Sequence, residues 1–152
     1  MKILLNIFAL SIILTSCSKD DEITYDPSTD EILGKWTKTK VVENYTRSGA
    51  QEIEKMDNCQ LKSITEFKED GSISEEIYDY GDSGCELKEK IYDFNNWKRE
   101  GDHMYYFHSK TSNGEAKGEQ EIRFQDGKMI YVNEKYSMSG EKINVYTYFE
   151  KK

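Results

Sequence analysis

The side chains best suited to metal binding or acid–base catalysis in this 152-residue chain are its two histidines, His103 and His108. They lie five residues apart on one predicted strand, and an odd separation directs them to opposite faces, so one ion cannot bind both without a bulge. The acidic pairs Asp20-Asp21 and Glu75-Glu76 are more typical of solvated faces than of paired catalytic carboxylates. The chain contains no phosphate-binding glycine loop, nucleophile elbow or His-Glu-x-x-His string. We therefore expect a protein that is not an enzyme and that binds no metal ion or cofactor.

A different kind of reactive side chain, Cys17, follows an apolar segment at the N-terminus. Residues 3–14 are apolar at all but two positions, and this length matches the core of a secretory signal, about 7–15 residues, rather than a transmembrane helix of about 20. We predict that residues 1–16 are a signal peptide. The run Leu14-Thr15-Ser16-Cys17 resembles the bacterial lipobox, which implies that Cys17 becomes the first mature residue and carries acyl chains. An ordinary signal peptide followed by an incidental cysteine is the alternative.

The residues behind Cys17 are polar and charged. The run Ser18-Lys19-Asp20-Asp21-Glu22 resembles the surface-export signal of Bacteroidota lipoproteins, which implies an outer-membrane protein that is anchored by lipid and exposed on the cell surface. A solvated, charged tether is the alternative interpretation of the same run. We predict that residues 17–31 form a lipidated, flexible tether, which at about 3.3–3.6 Å per residue reaches about 50 Å.

The other two cysteines, Cys59 and Cys85, are expected to form a disulfide, because an exported protein folds in an oxidising or at least unreduced compartment. The bridge closes a loop for which chain entropy predicts about 3–4 kcal/mol of stabilisation. Two unpaired, buried thiols are the alternative.

The charge balance limits the possible partners. The chain has 29 acidic and 21 basic residues, a formal net charge of −8, and no basic cluster. Nucleic acids and anionic lipid headgroups are therefore not expected as partners, since both need Lys and Arg to replace their counterions. The length suits one domain, which we assign to residues 32–152 and expect to be monomeric.

Short runs of Tyr, Ile, Val, Phe and Thr, separated by Gly-containing turns, predict an all-β domain. Eight antiparallel strands joined in sequence leave two unpaired edges, which closure of the sheet removes. We therefore predict an eight-stranded antiparallel up-and-down barrel with no C-terminal helix, whose interior is filled by side chains or holds one small ligand. The predicted strands cover residues 34–45, 59–67, 72–80, 90–98, 103–109, 119–125, 128–136 and 142–150.

Two turns also predict the register of their hairpins. If Asp126-Gly127 is a two-residue type I′ loop, then Phe124 pairs with Met129 and Ile122 with Tyr131, so that these four side chains share one face. Ile130 and Val132 then fall on the outer face, which indicates a bulge or a covered patch there.

The second turn is Glu69-Asp70-Gly71, a three-residue loop with glycine in the left-handed region. It pairs Phe67 with Ile73, and Ile77 follows on the same face. On the last strand, Ile143 and Phe149 belong to the inward set.

The motif Gly34-Lys35-Trp36 opens the first predicted strand. It is followed by Cys59, a Phe-x-x-Asp-Gly hairpin, Cys85 and a strand ending in Trp97, and this order resembles the small lipocalin-like domains of Bacteroidota lipoproteins. The resemblance covers about residues 31–150. It implies that Gly34 and Trp36 form the motif that closes one end of a barrel. The chain lacks the Thr-Asp-Tyr motif and the C-terminal helix of the main lipocalins.

The nineteen aromatic residues are the remaining functional signal. They either line an apolar cup with a few hydroxyl groups or stabilise a small barrel by packing. A pocket would open opposite Trp36, and we expect its walls to include Phe67, Ile73, Trp97, Ile122, Phe124 and Tyr131. The sequence thus predicts a membrane-anchored, non-catalytic protein that binds a small apolar or amphipathic molecule in the barrel. A surface protein-interaction or inhibitor module with a filled barrel is the alternative.

Overall fold

The computed structural model describes residues 26–111 and 114–152. The predicted signal peptide, Cys17 and residues 18–25 of the predicted tether lie outside the described residues. Among the residues that are described, no helix is both long enough and apolar enough to cross a membrane.

The described chain is all-β, as predicted. Nine strands are joined by turns, and two short 3₁₀ turns, Pro27–Thr29 and Gln60–Lys62, are the only helical elements in this part of the chain. The strands are β1 (Gly34–Tyr45), β2 (Gln51–Lys55), β3 (Ile64–Phe67), β4 (Ser72–Gly81), β5 (Gly84–Arg99), β6 (Met104–Thr111), β7 (Gly114–Gln125), β8 (Lys128–Tyr136) and β9 (Lys142–Lys151).

Eight of these strands, β1 and β3 to β9, close into an antiparallel barrel, which confirms the predicted fold class. Closure occurs at β1, because one of its edges pairs with β9 along residues 36–45. The other edge is shared by two strands: β3 pairs with residues 34–36, and β2 pairs with residues 40–44. Strand β2 is therefore an addition to the eight-stranded barrel.

The strand prediction was wrong in several places: β5 begins at Gly84 and β7 at Gly114, earlier than the predicted residues 90 and 119. The strand expected at residues 59–67 begins only at Ile64, because Cys59 to Ser63 form a 3₁₀ turn with its caps. Strand β2 was not predicted: all five of its side chains are exposed, so it lacks the alternation of apolar and polar residues that marks a half-buried strand.

The predicted hairpin registers are confirmed. Phe124 pairs with Met129 and Ile122 with Tyr131, and Asp126 and Gly127 both have positive φ, as a type I′ turn requires. Phe67 pairs with Ile73 across the other turn. Ile130, expected on the outer face, is buried there rather than in the core cluster, so this part of the exterior is covered by its neighbours.

The turns divide the barrel into two ends. We call the end that carries the β3–β4, β5–β6 and β7–β8 turns the closed end, and the end that carries the β1–β2, β4–β5 and β8–β9 turns the open end. A layer of large side chains fills the interior near the closed end. Its buried members include Ile32, Trp36, Phe67, Trp97, Tyr105, Ile122 and Met129.

The segment before β1 lies across the closed end. The Trp36 indole Nε1 donates a hydrogen bond to the carbonyl of Ile32 at 2.7 Å. The buried carboxylate of Asp30 accepts hydrogen bonds from the Ile32 backbone N–H at 3.0 Å and from the Tyr105 hydroxyl at 2.7 Å, and Arg99 lies 3.5 Å from its second oxygen. The last residues of the predicted tether are thus part of the folded domain.

The predicted disulfide between Cys59 and Cys85 is present, with the two Cα atoms 5.4 Å apart. It joins the 3₁₀ turn between β2 and β3 to the beginning of β5, next to the β4–β5 turn.

Candidate functional site

A cavity of about 380 Å³ lies inside the barrel on the open-end side of the core layer. Strands β3, β4, β6, β7 and β8 form its walls, and it is partly open to solvent. The filled layer around Trp36 lies on the closed-end side of the cavity.

Strand alternation explains which side chains face the cavity. In an antiparallel pair, directly opposed residues share a face, and side chains two residues apart on a strand point the same way. Phe67 and Ile73 are opposed in the core layer, so the next inward-facing pair toward the open end is Thr65 and Glu75. All four line the cavity.

Three aromatic rings form one side of the cavity. The ring centroids of Phe67 and Phe107 are 6.2 Å apart, and those of Phe107 and Tyr131 are 6.3 Å apart. Gly118 lies opposite Phe107 on the neighbouring strand and also borders the cavity. Because glycine has no side chain, the space beside it is open. The cavity therefore combines aromatic faces with an opening beside a glycine.

The six residues predicted to line a pocket are divided by the structure. Phe67, Ile73 and Tyr131 line the cavity. Trp97 and Ile122 are buried in the core layer beneath it, and Phe124 packs against that layer at the closed end beside Trp36. Register alone does not predict this division, because Ile122 is the direct strand partner of the cavity-lining Tyr131 and Trp97 is that of the cavity-lining Phe107.

The carboxyl group of Glu75 is the main polar feature of the cavity wall, and the sequence analysis missed it. The Thr65 hydroxyl donates a hydrogen bond to Glu75 Oε1 at 3.2 Å. Burial raises the pKa of Glu75 above its usual range, Glu89 raises this pKa further, and the Thr65 hydrogen bond lowers it. The predicted pairing of Phe67 with Ile73 already implied that Glu75 faces inward, so the signal was present in the register.

Tyr131 lies deep in the barrel beside the same carboxyl group. Burial raises the pKa of its phenol far above the ordinary value, and the charge of Glu75 adds to this effect. The phenol is therefore neutral at all physiological pH values, and the ring keeps some accessible surface because it borders the cavity.

The rim of the cavity is polar. His108 contributes to it and is paired with Glu115, and Glu119 is exposed there. His103 lies just before β6 and is exposed, so the two histidines do not meet. Within the described ranges, no group of three or more His, Cys, Asp or Glu side chains is arranged to hold a metal ion.

Comparison of the chain with protein-family models, with curated proteins and with solved structures gave no match. Fold and site therefore define the class on their own: an eight-stranded antiparallel β-barrel with an internal cavity above a packed, closed end.

Proposed function

We propose that this protein is a non-catalytic, lipid-anchored binding protein that holds one small apolar or amphipathic molecule in the barrel. The observation that supports the proposal is the cavity. Its volume of about 380 Å³ lies within the range of ligand pockets, roughly 300–1,000 Å³, and its wall combines three aromatic rings with polar side chains, several of them at the rim.

Binding would be driven by the removal of ligand surface from water. A ligand that buries about 200 Å² of apolar surface gains about 5 kcal/mol at about 25 cal/mol per Å². Part of this gain is offset by the loss of translational and rotational freedom, which costs at least about 4 kcal/mol. Affinity for a purely apolar molecule is therefore expected to be weak, and a polar contact inside the cavity is needed for tight binding.

Titration with N-phenyl-1-naphthylamine, whose fluorescence rises in apolar surroundings, tests the proposal on the purified, unlipidated protein. We expect saturable binding of one probe per chain. Gly118→Leu places a four-carbon side chain in the cavity opposite Phe107 and should abolish binding, while Gly118→Ala adds one methyl group to open space and should retain it. Absence of binding by the wild type, or equal binding by both variants, contradicts the proposal.

The lipid anchor at Cys17 is tested separately in a bacterium that processes lipoproteins. We expect incorporation of radiolabelled palmitate and recovery in the outer-membrane fraction for the wild type, and loss of both for Cys17→Ser. Digestion by protease added to intact cells reports surface exposure. A soluble wild-type protein without label would instead support an ordinary signal peptide.

The alternative is a surface module that binds another protein through exposed side chains. The observation in its favour is that large apolar residues are exposed on the three hairpins of the open end: Ile53, Tyr80, Leu87, Tyr136 and Met138. The cavity favours the first candidate over an alternative that assumes a filled barrel. Replacement of Tyr136 and Met138 by serine leaves probe binding intact if the cavity is the site.

A further inference from the structure

Among the described residues that line the cavity, the only basic side chain is that of His108, which is paired with Glu115. Two carboxylates, Glu75 and Glu119, line the cavity, and none of the described lining residues is a lysine or an arginine. Glu75 lies on the inner face, bonded to Thr65, whereas Glu119 is at the exposed rim. An anionic headgroup that entered the cavity would therefore meet a carboxylate without a compensating cation.

The aromatic rings on the cavity wall also favour a cation over an anion. The faces of phenyl and phenol rings carry negative electrostatic potential, so they attract a cation that lies against them and favour ammonium groups in particular. Phe67, Phe107 and Tyr131 follow one another around the cavity with centroids 6.2 and 6.3 Å apart. Glu75 and Tyr131 are close enough for the charge of the carboxylate to act on the phenol.

We infer that the cavity selects amphipathic organic cations, in which an alkyl or aryl body fills the space among Phe67, Phe107 and Tyr131 while an ammonium group pairs with Glu75. This inference rests on the proposed function, because it specifies the chemical class of the ligand for the same cavity. The cation neutralises a carboxylate that is held in the barrel interior, and the net charge of −8 on the chain attracts it from solution.

The burial of Glu75 in the protein without ligand supports this assignment. The raised pKa of Glu75 shows that the interior penalises an unpaired negative charge at this position. Glu89 adds repulsion to this penalty. A bound cation removes the penalty, so the affinity for a permanent cation should fall as the pH is lowered and Glu75 takes up a proton.

Competition against N-phenyl-1-naphthylamine tests the inference with three probes of equal chain length: octyltrimethylammonium, 1-octanol and octanoate, each below its aggregation concentration. We expect the cation to displace the fluorescent probe at about tenfold lower concentration than 1-octanol, and octanoate to be the weakest competitor.

Glu75→Gln removes the charge but keeps the size of the side chain and its hydrogen-bonding oxygen. This variant should lose the preference for the cation and bind 1-octanol as the wild type does. Glu76→Gln is the matched control, because it removes the same charge from the adjacent residue, which faces outward and does not line the cavity. Thermal unfolding curves show whether both variants fold.

The outcomes separate the two proposals. If 1-octanol and octanoate compete as well as the cation, or if Glu75→Gln and Glu76→Gln weaken cation binding equally, the inference about charge is overturned while the binding function stands. If N-phenyl-1-naphthylamine itself does not bind, the proposed function fails and the inference fails with it.

Discussion

The hydroxyl of Thr37 is buried and has no hydrogen-bond partner among the described residues. A buried polar group without a partner costs about 1–3 kcal/mol, and valine has nearly the same shape without the hydroxyl. We therefore expect Thr37→Val to raise the free energy of unfolding by about 1 kcal/mol, measured by urea denaturation.

Thr39, on the same strand, is the matched control for this prediction. Its hydroxyl donates a hydrogen bond to the backbone carbonyl of Tyr148 at 3.2 Å, so Thr39→Val leaves a carbonyl without that donor. This substitution should lower the free energy of unfolding by about 1 kcal/mol. Equal changes in the two variants would show that the state of the Thr37 hydroxyl is not the cause.

Glu75 gives a second prediction at this scale, on stability against pH. Its pKa is higher in the folded barrel than the ordinary value of 4.5 for a glutamate, so the folded state binds the proton more tightly than the unfolded state. The contribution of Glu75 to stability is therefore largest below about pH 4.5 and is lost as the pH rises through the folded pKa. Glu75→Gln does not titrate.

The difference in unfolding free energy between Glu75→Gln and the wild type should be constant at low pH. It should grow in favour of the variant as the pH rises to 7, by about 1.4 kcal/mol for each unit by which the pKa is raised. Urea denaturation at several pH values measures this difference. A difference that stays flat from pH 4 to 7 would mean that the carboxyl group is well solvated in the folded protein.

Residues that line the cavity could be identified from the sequence only where a turn fixed the register of their strand. Phe67, Ile73 and Tyr131 were predicted to line a pocket because two turns fixed the pairing of their strands, and the cavity contains them. Glu75 was assigned to a solvated face because acidic pairs usually occupy one. A core aromatic such as Trp97 and a cavity aromatic such as Phe107 are direct partners on neighbouring strands, so strand alternation and pairing do not distinguish them.

At the scale of elements, the disulfide joins two parts of the chain whose strands have few pairing partners: the region after β2 and the β4–β5 hairpin. Strand β2 pairs with β1, while the outer halves of β4 and β5 pair with each other. Cys59, in the 3₁₀ turn that follows β2, and Cys85, at the start of β5, connect these parts of the chain across a sequence separation of 26 residues. For a loop of this size, the chain-entropy model gives about 3.5 kcal/mol.

We therefore expect the double variant Cys59→Ala, Cys85→Ala to lose about 3–4 kcal/mol of unfolding free energy, measured by urea denaturation. The wild type in the presence of a reductant should show a similar loss, and the double variant should not respond to the reductant. A loss below about 1 kcal/mol would mean that the reduced, unfolded chain is already constrained.

The same elements show which strands a sequence can specify. Strands β1 and β8 have the predicted bounds, because each begins at a glycine or a tight turn and then alternates. The exposed β2 carries no apolar alternation, and it is held by backbone pairing to β1, which depends on the tertiary fold. The predicted strands 90–98 and 119–125 were too short for a related reason: β5 and β7 extend into polar residues toward the open end.

At the scale of the whole molecule, the two ends of the barrel differ. The N-terminal segment lies across the closed end, where Asp30 meets Tyr105 and Pro27 lies near the β3–β4 turn. The cavity is on the other side of the core layer. A chain anchored in a membrane ahead of Asp26 would therefore attach at the closed end and present the mouth of the cavity on the opposite side.

The cavity beside the filled core layer predicts a conflict between stability and binding. Gly118 borders the cavity, opposite Phe107, and no atom lies within 4 Å of the position that a Cβ would occupy. Gly118→Leu should bury apolar surface and remove the backbone freedom of glycine, so we expect the unfolding free energy to rise by about 1–2 kcal/mol.

Gly118→Ala separates these two contributions, because it removes the freedom of glycine but leaves most of the cavity empty. It should gain about 0.5–1 kcal/mol and still bind N-phenyl-1-naphthylamine, whereas the leucine variant is more stable and does not bind. If Gly118→Leu is instead less stable than the alanine variant, the wall around Phe107 has no room for the side chain. A leucine variant that is more stable but does not bind the probe would show that the space beside Gly118 serves binding rather than stability, as the proposed function requires.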